Sequence, residues 1–503
     1  MKGPSLSDLL TDVTPRRIDG PAAVAITGIT ADSRTVVPGM VFVAISGFTV
    51  DGHDFVPEAL ARGARAAVVQ KPVAGAAQIT VVTVPDTRVA LAQMSAAFYG
   101  HPSEELQLIG VTGTNGKGTT AALIQAMLAH AGIKTGLIGT LGAKIGEREI
   151  DLGRTTPEAP QLQALLREMV DAGMSHAVME VASHGLALHR VDGCRFRAAV
   201  FTNLTQDHLD FHGSMEEYRR AKQRLFEMVD ADGAAIVNAD DAAAGSMIQA
   251  TRARVTTYGI ARAADIRAED VRLATDGTSF TVRATSGLAL VRSRLRGKFN
   301  VSNALAAVAT ATTQGVDLEV AAAALADFPG VPGRFEAVDE GQPFAVIVDY
   351  AHTPDSLTNV LRTAREFARG RVIVVFGAGG DRDRTKRPIM GRIAEEIADV
   401  AIVTSDNPRS EEPAAIIEEI MDGVRGSGFG ARAQVDPDRR KAIHTAIGLA
   451  GPGDVVVIAG KGHEPYQEIQ GVKHSFDDRT VAREAILALG FRTPNPEPPT
   501  SVV

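Results

Sequence analysis

Short apolar runs alternate with amphipathic stretches along most of this chain. One apolar run, residues 106–112, is followed by a Gly-rich turn and then by residues 118–131, whose apolar positions recur at helical spacing until Gly132 provides a stop. Further strand-like runs lie at residues 177–179 and 198–201. Strands that alternate with helices predict an α/β sheet with crossover connections.

The pattern breaks near residues 329–333, where two prolines and two glycines in FPGVPGRFE predict an interdomain linker. The N-terminal segment is Gly-rich, with strand-like runs at 41–45 and 66–69, and it carries no nucleotide fingerprint. Beyond the linker, helix-like sequence follows each buried-strand run, which predicts a second, doubly wound α/β domain. These runs are residues 345–348, 372–376, 400–403 and 455–459.

Size and composition narrow the class of protein. A chain of 503 residues favours two or three domains, and its net charge of −8 excludes a general attraction to nucleic acid or anionic membranes. The single cysteine, Cys194, excludes an intramolecular disulfide and a cysteine-cluster metal site, which fits a cytoplasmic protein. We see no signal peptide and no apolar stretch long enough to span a bilayer, and we expect residues 496–503 to form a loose tail.

The strongest local signal is TGTNGKGT, which lies between the first apolar strand and the amphipathic helix. Glycines let the backbone fold around phosphate oxygens, and free amides at the helix start point at the anion. Lys117 would reach the outer phosphates, and Thr119 is the better hydroxyl for Mg²⁺ because Gly118 stands where Ser or Thr is usual. The alternative is a Gly-rich turn with a solvated lysine. The predicted nucleotide contacts in this loop are Thr112, Gly113, Thr114, Asn115, Gly116, Lys117, Gly118 and Thr119.

Metal-capable side chains follow two other predicted strands. Glu180 comes after the run 177–179, and Asp207 and His208 come shortly after the run 198–201. The carboxyl ends of parallel strands open on the crevice side of such a sheet, where a carboxylate and an imidazole suit Mg²⁺. Taken singly, each is more often a capping or surface residue, and Asp207 could cap a helix.

Several motifs together resemble the Mur ligase superfamily: TGTNGK, MEVASHGLALHRV, FTNLTQDHLDFHGSMEEYRRAK, GKFNVSNALAA, DYAHTPDSL, FGAGGDRDRTKRPIMG, SDNPRSEEP and AGKGHEPYQ. The N-terminal ADSR…PGMVFVAISG…DGHDF is similar to the UDP-binding domain of that family. The resemblance implies three α/β domains. They are a small UDP-precursor-binding domain at 1–103, a central ATP-binding domain with a phosphate loop and a parallel sheet at 104–332, and a doubly wound, Rossmann-like amino-acid-binding domain at 333–495.

The resemblance also implies an ATP-dependent ligase that forms a carbon–nitrogen bond and uses Mg²⁺. ATP would phosphorylate a carboxylate of a UDP-linked cell-wall precursor, and an amine would then displace the phosphate. By the same resemblance, Glu180 and His208 hold Mg²⁺, and Lys222 is carried as a carbamate that also binds the metal. Without the resemblance, Lys222 would be interpreted as an exposed helix lysine.

Further nucleotide contacts are implied at Asn203, Asn300, Asn303, Arg334 and Asp349. Asn300 and Asn303 resemble a pair that contacts adenine, whereas Arg334 and Asp349 match positions that reach ATP from the linker and the third domain. The alternatives are helix capping for the two asparagines and an ordinary strand-end turn residue for Asp349.

The run DNPR resembles the signature of family members that add meso-diaminopimelate. That substrate carries a carboxylate at its far end, which an arginine fork can pair with in a bidentate way. The alternative for Arg409 is a solvated turn residue beside Glu411 and Glu412. The implied contacts to this substrate are Arg382, Asp406, Asn407, Pro408, Arg409, Gly460 and Glu464.

On the precursor side, Ser33 resembles a residue that contacts the UDP-sugar in that family. The residues that resemble its contacts to the muramoyl dipeptide are Thr155, Thr156, Ser183 and Arg190. The implied substrates are therefore UDP-N-acetylmuramoyl-L-alanyl-D-glutamate and meso-diaminopimelate. The implied role is peptidoglycan synthesis, hence cell-wall biogenesis, cell shape and cell division, for a cytoplasmic protein that is expected to be a monomer and to bind neither nucleic acid nor membrane.

Three alternatives stay open from the residues alone. A lysine-adding Mur ligase would share the other motifs, but it would have no use for the cation of the DNPR run. Folylpolyglutamate synthase resembles the loop because it, too, has glycine after the lysine, although it does not need the long N-terminal domain. A non-catalytic nucleotide-binding regulator would need neither the metal cluster nor the second carboxylate site.

Overall fold

The computed structural model of the protein describes residues 3–75, 78–274, 277–427 and 433–491. The predicted tail, 496–503, lies outside the described residues. The described chain is mixed α/β, with three main sheets and a separate two-stranded sheet. None of the described helices is long and apolar enough to cross a membrane.

The N-terminal sheet has five strands in the order β1-β5-β4-β3-β2, and only β1 runs antiparallel to its neighbour. Its parallel strands are short and apolar on both faces, as expected when helices cover a sheet. Its elements are α1 (Leu6–Leu9), β1 (Arg17–Asp19), β2 (Ile29–Thr30), β3 (Val41–Val43), α2 (Val56–Ala61), β4 (Ala66–Val69), β5 (Thr80–Thr83), α3 (Thr87–Phe98) and α4 (Pro102–Glu105), with single turns of 3₁₀ helix at Ser33–Thr35 and Gly52–Phe55.

The central sheet has eleven strands in the order β16-β15-β14-β13-β12-β11-β6-β10-β7-β8-β9, parallel from β14 to β7 and antiparallel at both edges. Its elements are β6 (Gln107–Thr112), α5 (Lys117–His130), β7 (Thr135–Gly139), β8 (Gly142–Ile145), β9 (Arg148–Ile150), α6 (Ala159–Asp171), β10 (His176–Glu180), α7 (Ser183–Ala187), β11 (Phe196–Phe201), α8 (Leu209–His212), α9 (Met215–Glu227), β12 (Val229–Asn238), α10 (Ala244–Ala250), β13 (Arg254–Gly259), β14 (Ile266–Ala274), β15 (Gly277–Ala284), β16 (Gly287–Ser293), α11 (Lys298–Thr313) and α12 (Leu318–Asp327).

Two buried apolar clusters cover the faces of the central sheet. Ile124 and Leu128 of α5 pack with Leu305 and Val308 of α11 on one face, and Leu166 of α6 lies on the other. Gly132, with a φ of 79°, ends α5 in the left-handed region, as the sequence predicts. The predicted strand–loop–helix unit at 106–131 is therefore confirmed to within one residue at each end.

The third sheet has six strands in the order β17-β18-β22-β19-β20-β21, parallel except for β17. Its elements are β17 (Glu336–Ala337), β18 (Ala345–Asp349), α13 (Pro354–Phe367), β19 (Val372–Phe376), α14 (Lys386–Ile397), β20 (Val400–Val403), α15 (Pro413–Arg425), β21 (Gln434–Val435), α16 (Arg439–Leu449), β22 (Val455–Ala459), β23 (Tyr466–Ile469), β24 (Val472–Ser475) and α17 (Asp478–Ala488).

One prediction for this domain is wrong. The run 455–459 is a strand, but the β23–β24 hairpin stands between it and the last helix instead of helical sequence. Gly471, with a φ of 75°, lies in the two-residue turn of that hairpin, which is the conformation that glycine favours there. Arg409 forms an isolated bridge with Ile469, next to the turn of this hairpin, so the hairpin packs against the DNPR run.

Candidate active site

The phosphate loop links β6 to α5 at the carboxyl end of the central strands. Gly116 takes a φ of 82°, and a Cβ there would collide with the side-chain oxygen of Asn303, so glycine is required both by conformation and by space. Lys117 folds back over the loop, and its Nζ donates to the carbonyls of Gly113 at 3.1 Å and Thr114 at 2.8 Å. Burial lowers its pKa, and the nearby Glu180 partly offsets this.

Glu180 is the last residue of β10 and is 4% exposed. Its Oε1 accepts the backbone N–H of Thr140 at 2.8 Å. A Cβ on Gly118 would lie 3.1 Å from that same oxygen. Glycine at the position where phosphate loops usually carry Ser or Thr therefore makes room for a carboxylate beside the loop.

His208 begins α8 in the left-handed region, with a φ of 54°. Its ring lies edge-on to that of His184, with centroids 4.7 Å apart, and its Nε2 is 3.3 Å from Asp207 Oδ2. Burial lowers the pKa of His208 to about 3, so its ring is neutral and can offer a lone pair. The helix-capping alternative for Asp207 is not what forms, since His208 occupies the cap position.

Lys222 is 1% exposed, so the exposed-lysine alternative is wrong. Its Nζ donates to the Gly113 carbonyl at 2.6 Å and lies 4.3 Å from the centre of the Tyr218 ring. Burial first, and then the charge of Lys117, hold its pKa well below the ordinary lysine value. Within the described ranges, no three acidic, histidine or cysteine side chains converge to hold a metal by themselves.

The asparagines brace the loop and do not cap helices. Asn203 Oδ1 accepts the Asn115 N–H at 2.9 Å, and its Nδ2 donates to the Asn115 carbonyl at 3.1 Å. Asn303 lies within α11, where its Nδ2 donates to Asn300 Oδ1 at 3.1 Å. Asn300 Nδ2 in turn donates to the carbonyl of Arg296, which precedes α11, so the pair is fixed by the start of its own helix.

The linker and the third domain close the crevice from the other side. The Arg334 guanidinium lies 4.6 Å from the centre of the Tyr350 ring, and Asp349 Oδ2 accepts the Phe335 N–H at 2.6 Å. Burial raises the pKa of Asp349 to about 6, although Arg334 opposes this. Asn115 Nδ2 of the phosphate loop donates to Asp355 Oδ2 of the third domain at 2.6 Å.

A cavity of about 320 Å³ results between the two domains. Of the predicted residues, its lining contains Thr114, Asn115, Gly116, Lys117, Gly118, Thr119, Thr155, Glu180, Asn203, His208, Asn303, Arg334 and Asp349. Thr112, Gly113, Asn300 and Lys222 do not line it.

The DNPR turn lies in the third domain and packs against two other loops. Arg409 Nη1 donates to the Gly380 carbonyl at 2.7 Å, and its Nε is 3.5 Å from Glu468 Oε2. Among the described residues, nothing accepts a hydrogen bond from its Nη2. The pairing with Glu411 is not seen, because Glu411 is held by Arg387.

Arg382 reaches the same place from the loop after β19. It is exposed, and its only bond within the described chain is to the Asp381 carbonyl at 2.9 Å. A Cβ on Gly379 would lie 2.9 Å from Arg409 Nη1 and 3.8 Å from Arg382 Cγ. The Arg409 guanidinium and the stem of the Arg382 side chain therefore lie on the same side of Gly379.

Asn407 and Glu464 form the opposite wall. Asn407 Nδ2 donates to Glu464 Oε2 at 2.7 Å, and its Oδ1 accepts from Lys461 Nζ at 3.0 Å. Asp406 is buried, and the cations Lys461 and Arg439 lower its pKa against the effect of burial.

The precursor residues gather at the carboxyl end of β10. Thr156 Oγ1 donates to the Glu180 carbonyl at 2.9 Å, and Ser183 Oγ lies 3.0 Å from His212 Nε2. Arg190 donates to the Thr156 carbonyl, and its buried Nε has no acceptor in the part of the chain that the structure describes. Ser33 lies in the N-terminal domain, buried, with its hydroxyl donating to Glu58 at 3.0 Å.

Comparison with known proteins agrees with this arrangement. Residues 111–311 match the Mur ligase middle domain, 333–462 the Mur ligase, glutamate ligase domain, and 25–99 the Mur ligase family, catalytic domain. A relative from Geobacillus kaustophilus, named UDP-N-acetylmuramoyl-L-alanyl-D-glutamate–2,6-diaminopimelate ligase, is 50% identical over 92% of this chain and 96% of its own. This chain belongs to the Mur ligase family.

A second relative of the same name, from Bacillus cereus, is 49% identical over 92% of this chain and 94% of its own. A solved structure of that name is 35% identical, covers 97% of this chain and 99% of its own, and superposes with a TM-score of 0.70. The three-domain α/β fold expected from the motifs is confirmed for this Mur ligase.

Sequence reasoning missed several residues of this Mur ligase that the structure places in or beside the site. His352 lines the cavity, and Asp355 contacts the phosphate loop. Burial lowers the pKa of Lys386, and the charges of Asp207 in the central domain and Asp406 in the DNPR turn oppose this, so Lys386 lies near both regions. The sequence feature that could have identified these residues is their position inside two motifs already noted. His352 and Asp355 lie in DYAHTPDSL, and Lys386 lies in DRTKRP.

Proposed function

We propose that this Mur ligase joins 2,6-diaminopimelate, as the meso isomer, to UDP-N-acetylmuramoyl-L-alanyl-D-glutamate at the expense of ATP, in peptidoglycan synthesis. The observation that carries the proposal is the position of two exposed or half-buried arginines, Arg382 and Arg409, beside Gly379 in a third domain that contacts the phosphate loop. A cationic clamp at that place serves an amine substrate with a second, distant carboxylate. The relatives named for this reaction support the same assignment.

The reaction balances in two steps. The γ-phosphoryl group of ATP passes to the terminal carboxylate of the precursor, which leaves ADP and an acyl phosphate. The uncharged amine then attacks the acyl carbon, an amide bond forms, and inorganic phosphate leaves with the bonding electrons. Two anions must approach for the first step, and Lys117, folded over the loop, can offset the charge that develops between them.

The residues beside the loop fit Mg²⁺. Thr119 and Glu180 supply the hard oxygens that Mg²⁺ prefers, His208 offers a neutral ring, and all three line the cavity. Because few protein ligands converge there, phosphate oxygens and water would complete the shell. When bound, the ion would offset negative charge on the phosphates.

Lys222 suits carbamylation, which we include in the proposal. Carbon dioxide reacts with an uncharged amine, and burial beside Lys117 favours the uncharged form of Lys222. The resulting carbamate would be an anion within the basic surroundings of the loop, where it could bind the metal. Mass spectrometry of the intact protein in bicarbonate buffer, with and without Lys222→Ala, tests this part separately.

The precursor and nucleotide assignments follow the same logic. We propose that Ser33 contacts the UDP-sugar and that Thr155, Thr156, Ser183 and Arg190 bind the dipeptide. Arg190, which pairs with Glu158 at 2.8 Å, lies beside Thr156. Asn303, Arg334 and Asp349 would contact the nucleotide, with Asn300 holding Asn303. The domain limits 1–103, 104–332 and 333–495, a monomeric state and a cytoplasmic location remain part of this proposal.

The test is phosphate release from ATP and Mg²⁺ with UDP-N-acetylmuramoyl-L-alanyl-D-glutamate and one of three amines. Turnover with meso-diaminopimelate but not with lysine or glutamate is expected. We expect Arg409→Lys, which keeps the charge but loses the fork, to raise KM for diaminopimelate about 10-fold. Arg384→Lys, on an exposed arginine that pairs with Glu419, is the matched control. Turnover with lysine would support the lysine-adding alternative, and turnover only with folate and glutamate would support the folylpolyglutamate synthase alternative.

A further inference from the structure

Lys461 is a buried cation that the proposed reaction does not use. It lies between Gly460 and Gly462, just after β22, and its side chain is fully buried. Burying a lysine is unfavourable unless its charge is paired and its donors are satisfied. What Lys461 contacts therefore indicates why it is there.

Its partners are two of the side chains assigned to the diaminopimelate site. Lys461 Nζ donates to Asn407 Oδ1 at 3.0 Å and to Glu464 Oε2 at 3.3 Å. The backbone N–H of Glu468 donates to the same Asn407 oxygen at 2.8 Å. Two donors on Oδ1 fix the orientation of the Asn407 amide, because its NH₂ group cannot occupy that place.

The amide orientation then fixes the carboxylate. Asn407 Nδ2 donates to Glu464 Oε2 at 2.7 Å, the same oxygen that Lys461 reaches. No donor among the described residues reaches Glu464 Oε1. One oxygen of Glu464 is thus held by the protein, and the other remains available to accept hydrogen bonds from the distal ammonium of the amine substrate.

We propose that Lys461 is a positioning residue for the amine substrate: it locks Asn407 and Glu464 together so that Glu464 Oε1 is presented to the substrate ammonium. This inference rests on the proposed function. Lys461 touches neither the reacting atoms nor the nucleotide crevice, so its removal affects the binding of one substrate and not of the others.

A conservative variant can separate this role from general packing. Lys461→Met keeps the length and most of the volume of the side chain but removes the charge and both hydrogen bonds. We expect KM for diaminopimelate to rise about 10- to 100-fold, the usual effect of losing hydrogen bonds to a charged group. KM for ATP and for the UDP-precursor should stay within about twofold. An unchanged KM for diaminopimelate in folded K461M overturns the proposal.

The chain offers a matched control in Lys473. Its Nζ lies 4.1 Å from the centre of the Tyr466 ring, and Lys461 Nζ lies 5.6 Å from the same ring. Lys473→Met therefore removes a cation from the same aromatic neighbour without touching Asn407 or Glu464, and its KM values should equal those of the wild type. An increase in the KM for diaminopimelate in K473M that matches K461M would mean that the effect comes from loss of positive charge near Tyr466, and would overturn the proposal.

A second variant covers the case in which K461M fails to fold. K461M/E464Q removes both charges of the pair and so leaves neither unpaired. If Lys461 acts through Glu464, the KM of the double variant should lie within about threefold of that of E464Q alone. Full additivity of the two changes would overturn the proposal. Turnover of diaminopimelate by the wild type is measured first, because its absence would refute the proposed function and not this inference alone.

Discussion

The nucleotide crevice and the amine site of this ligase are built in opposite ways. The crevice is an interdomain cavity of about 320 Å³, and burial outweighs the charge of Arg334 at its carboxyl group Asp349. The amine site lies within the third domain and rests on buried ion pairs. Arg439 donates to both oxygens of Asp478, and both side chains are fully buried.

The difference suggests how the two sites work. A site made by the approach of two domains is completed only when they close, so its groups must tolerate an open state. The amine site has no such requirement, and fixed partners can hold it in the binding geometry before the substrate arrives. Lys386, whose charged neighbours lie in both regions, marks where the two sites meet.

The largest effect is expected from breaking the buried Arg439–Asp478 ion pair, which supports the amine site. Arg439→Met leaves Asp478 buried without its partner, which should lower the free energy of unfolding by about 3–5 kcal/mol. The adjacent Arg440 pairs with Glu484 on the surface, so Arg440→Met should cost less than about 1 kcal/mol. Urea unfolding of both variants measures the contrast. Equal destabilisation would mean that the buried pair is not what supports this site.

The next largest effect concerns the crevice. Lys117→Met should lower kcat about 10²- to 10³-fold, because a preorganised donor to the developing negative charge is lost. Stability should change less than in Arg439→Met, since the hydrogen bonds of Lys117 within the described ranges go to two loop carbonyls and not to a buried carboxylate. Lys134→Met, an exposed lysine just beyond the other end of α5, is the control. Phosphate release at saturating substrates gives kcat, and activity above about a tenth of the wild type would rule out this role.

The two regions also differ in how far the sequence could predict them. The strand–loop–helix at 106–131 was predictable because its residues are contiguous and glycine and lysine have fixed uses there. The buried charged residues that support the amine site were not predictable from the sequence. Arg439, Lys461 and Asp478 come from three separate segments and form no recognisable pattern along the chain. Asp355 was missed for a related reason: its partner, Asn115, belongs to another domain.

Local preferences alone point to the wrong environment where tertiary contacts decide. Asn300 and Asn303 resemble cap residues, yet they lie inside α11 because the phosphate loop packs on Asn303. Lys222 reads as a surface lysine on an amphipathic helix, but the loop carbonyl of Gly113 accepts from it in the interior. The hairpin after β22 was missed because its strands are half-buried or exposed and lack an apolar run.

The third prediction concerns the buried carboxyl group of Asp349 in the crevice. Burial raises the pKa of Asp349 to about 6 from an ordinary value of 3.8. The folded protein therefore holds this proton more tightly than the unfolded chain, and stability falls as the pH rises from about 4 to 6 and stays lower above that. Asp349→Asn should remove this loss and add about 1–2 kcal/mol at pH 7.5, discounted for partial solvent access.

The free energy of unfolding of the wild type and of Asp349→Asn is measured at pH 5 and at pH 7.5. The effect is the change in free energy between the two pH values in the wild type minus the same change in the variant. The same substitution should weaken ATP binding, since the proposal assigns Asp349 to the nucleotide. A variant that gains stability and keeps its affinity for ATP would separate the buried charge from nucleotide binding. An equal pH dependence in both proteins would contradict the raised pKa.

The smallest effect should come from a contact that joins the central and third domains at the crevice. Asp355 Oδ2 accepts from Asn115 of the central domain at 2.6 Å and from Asn359 of its own helix at 3.2 Å. Asp355→Ala removes the interdomain bond and should raise KM for ATP about 2- to 10-fold, with kcat less affected. Asn359→Ala removes only the partner within the third domain, so it is the matched control.

Small-angle scattering shows whether this bond favours domain closure. The radius of gyration of Asp355→Ala without ligands should exceed that of the wild type, whereas Asn359→Ala should match it. Saturating ATP and precursor should remove the difference, because ligands that bind both domains supply closure energy of their own. A KM increase without any change in scattering would mean that Asp355 acts by holding the phosphate loop through Asn115. Asp355 would then resemble the fixed hydrogen-bond partners of the amine site, and it would have no part in domain closure.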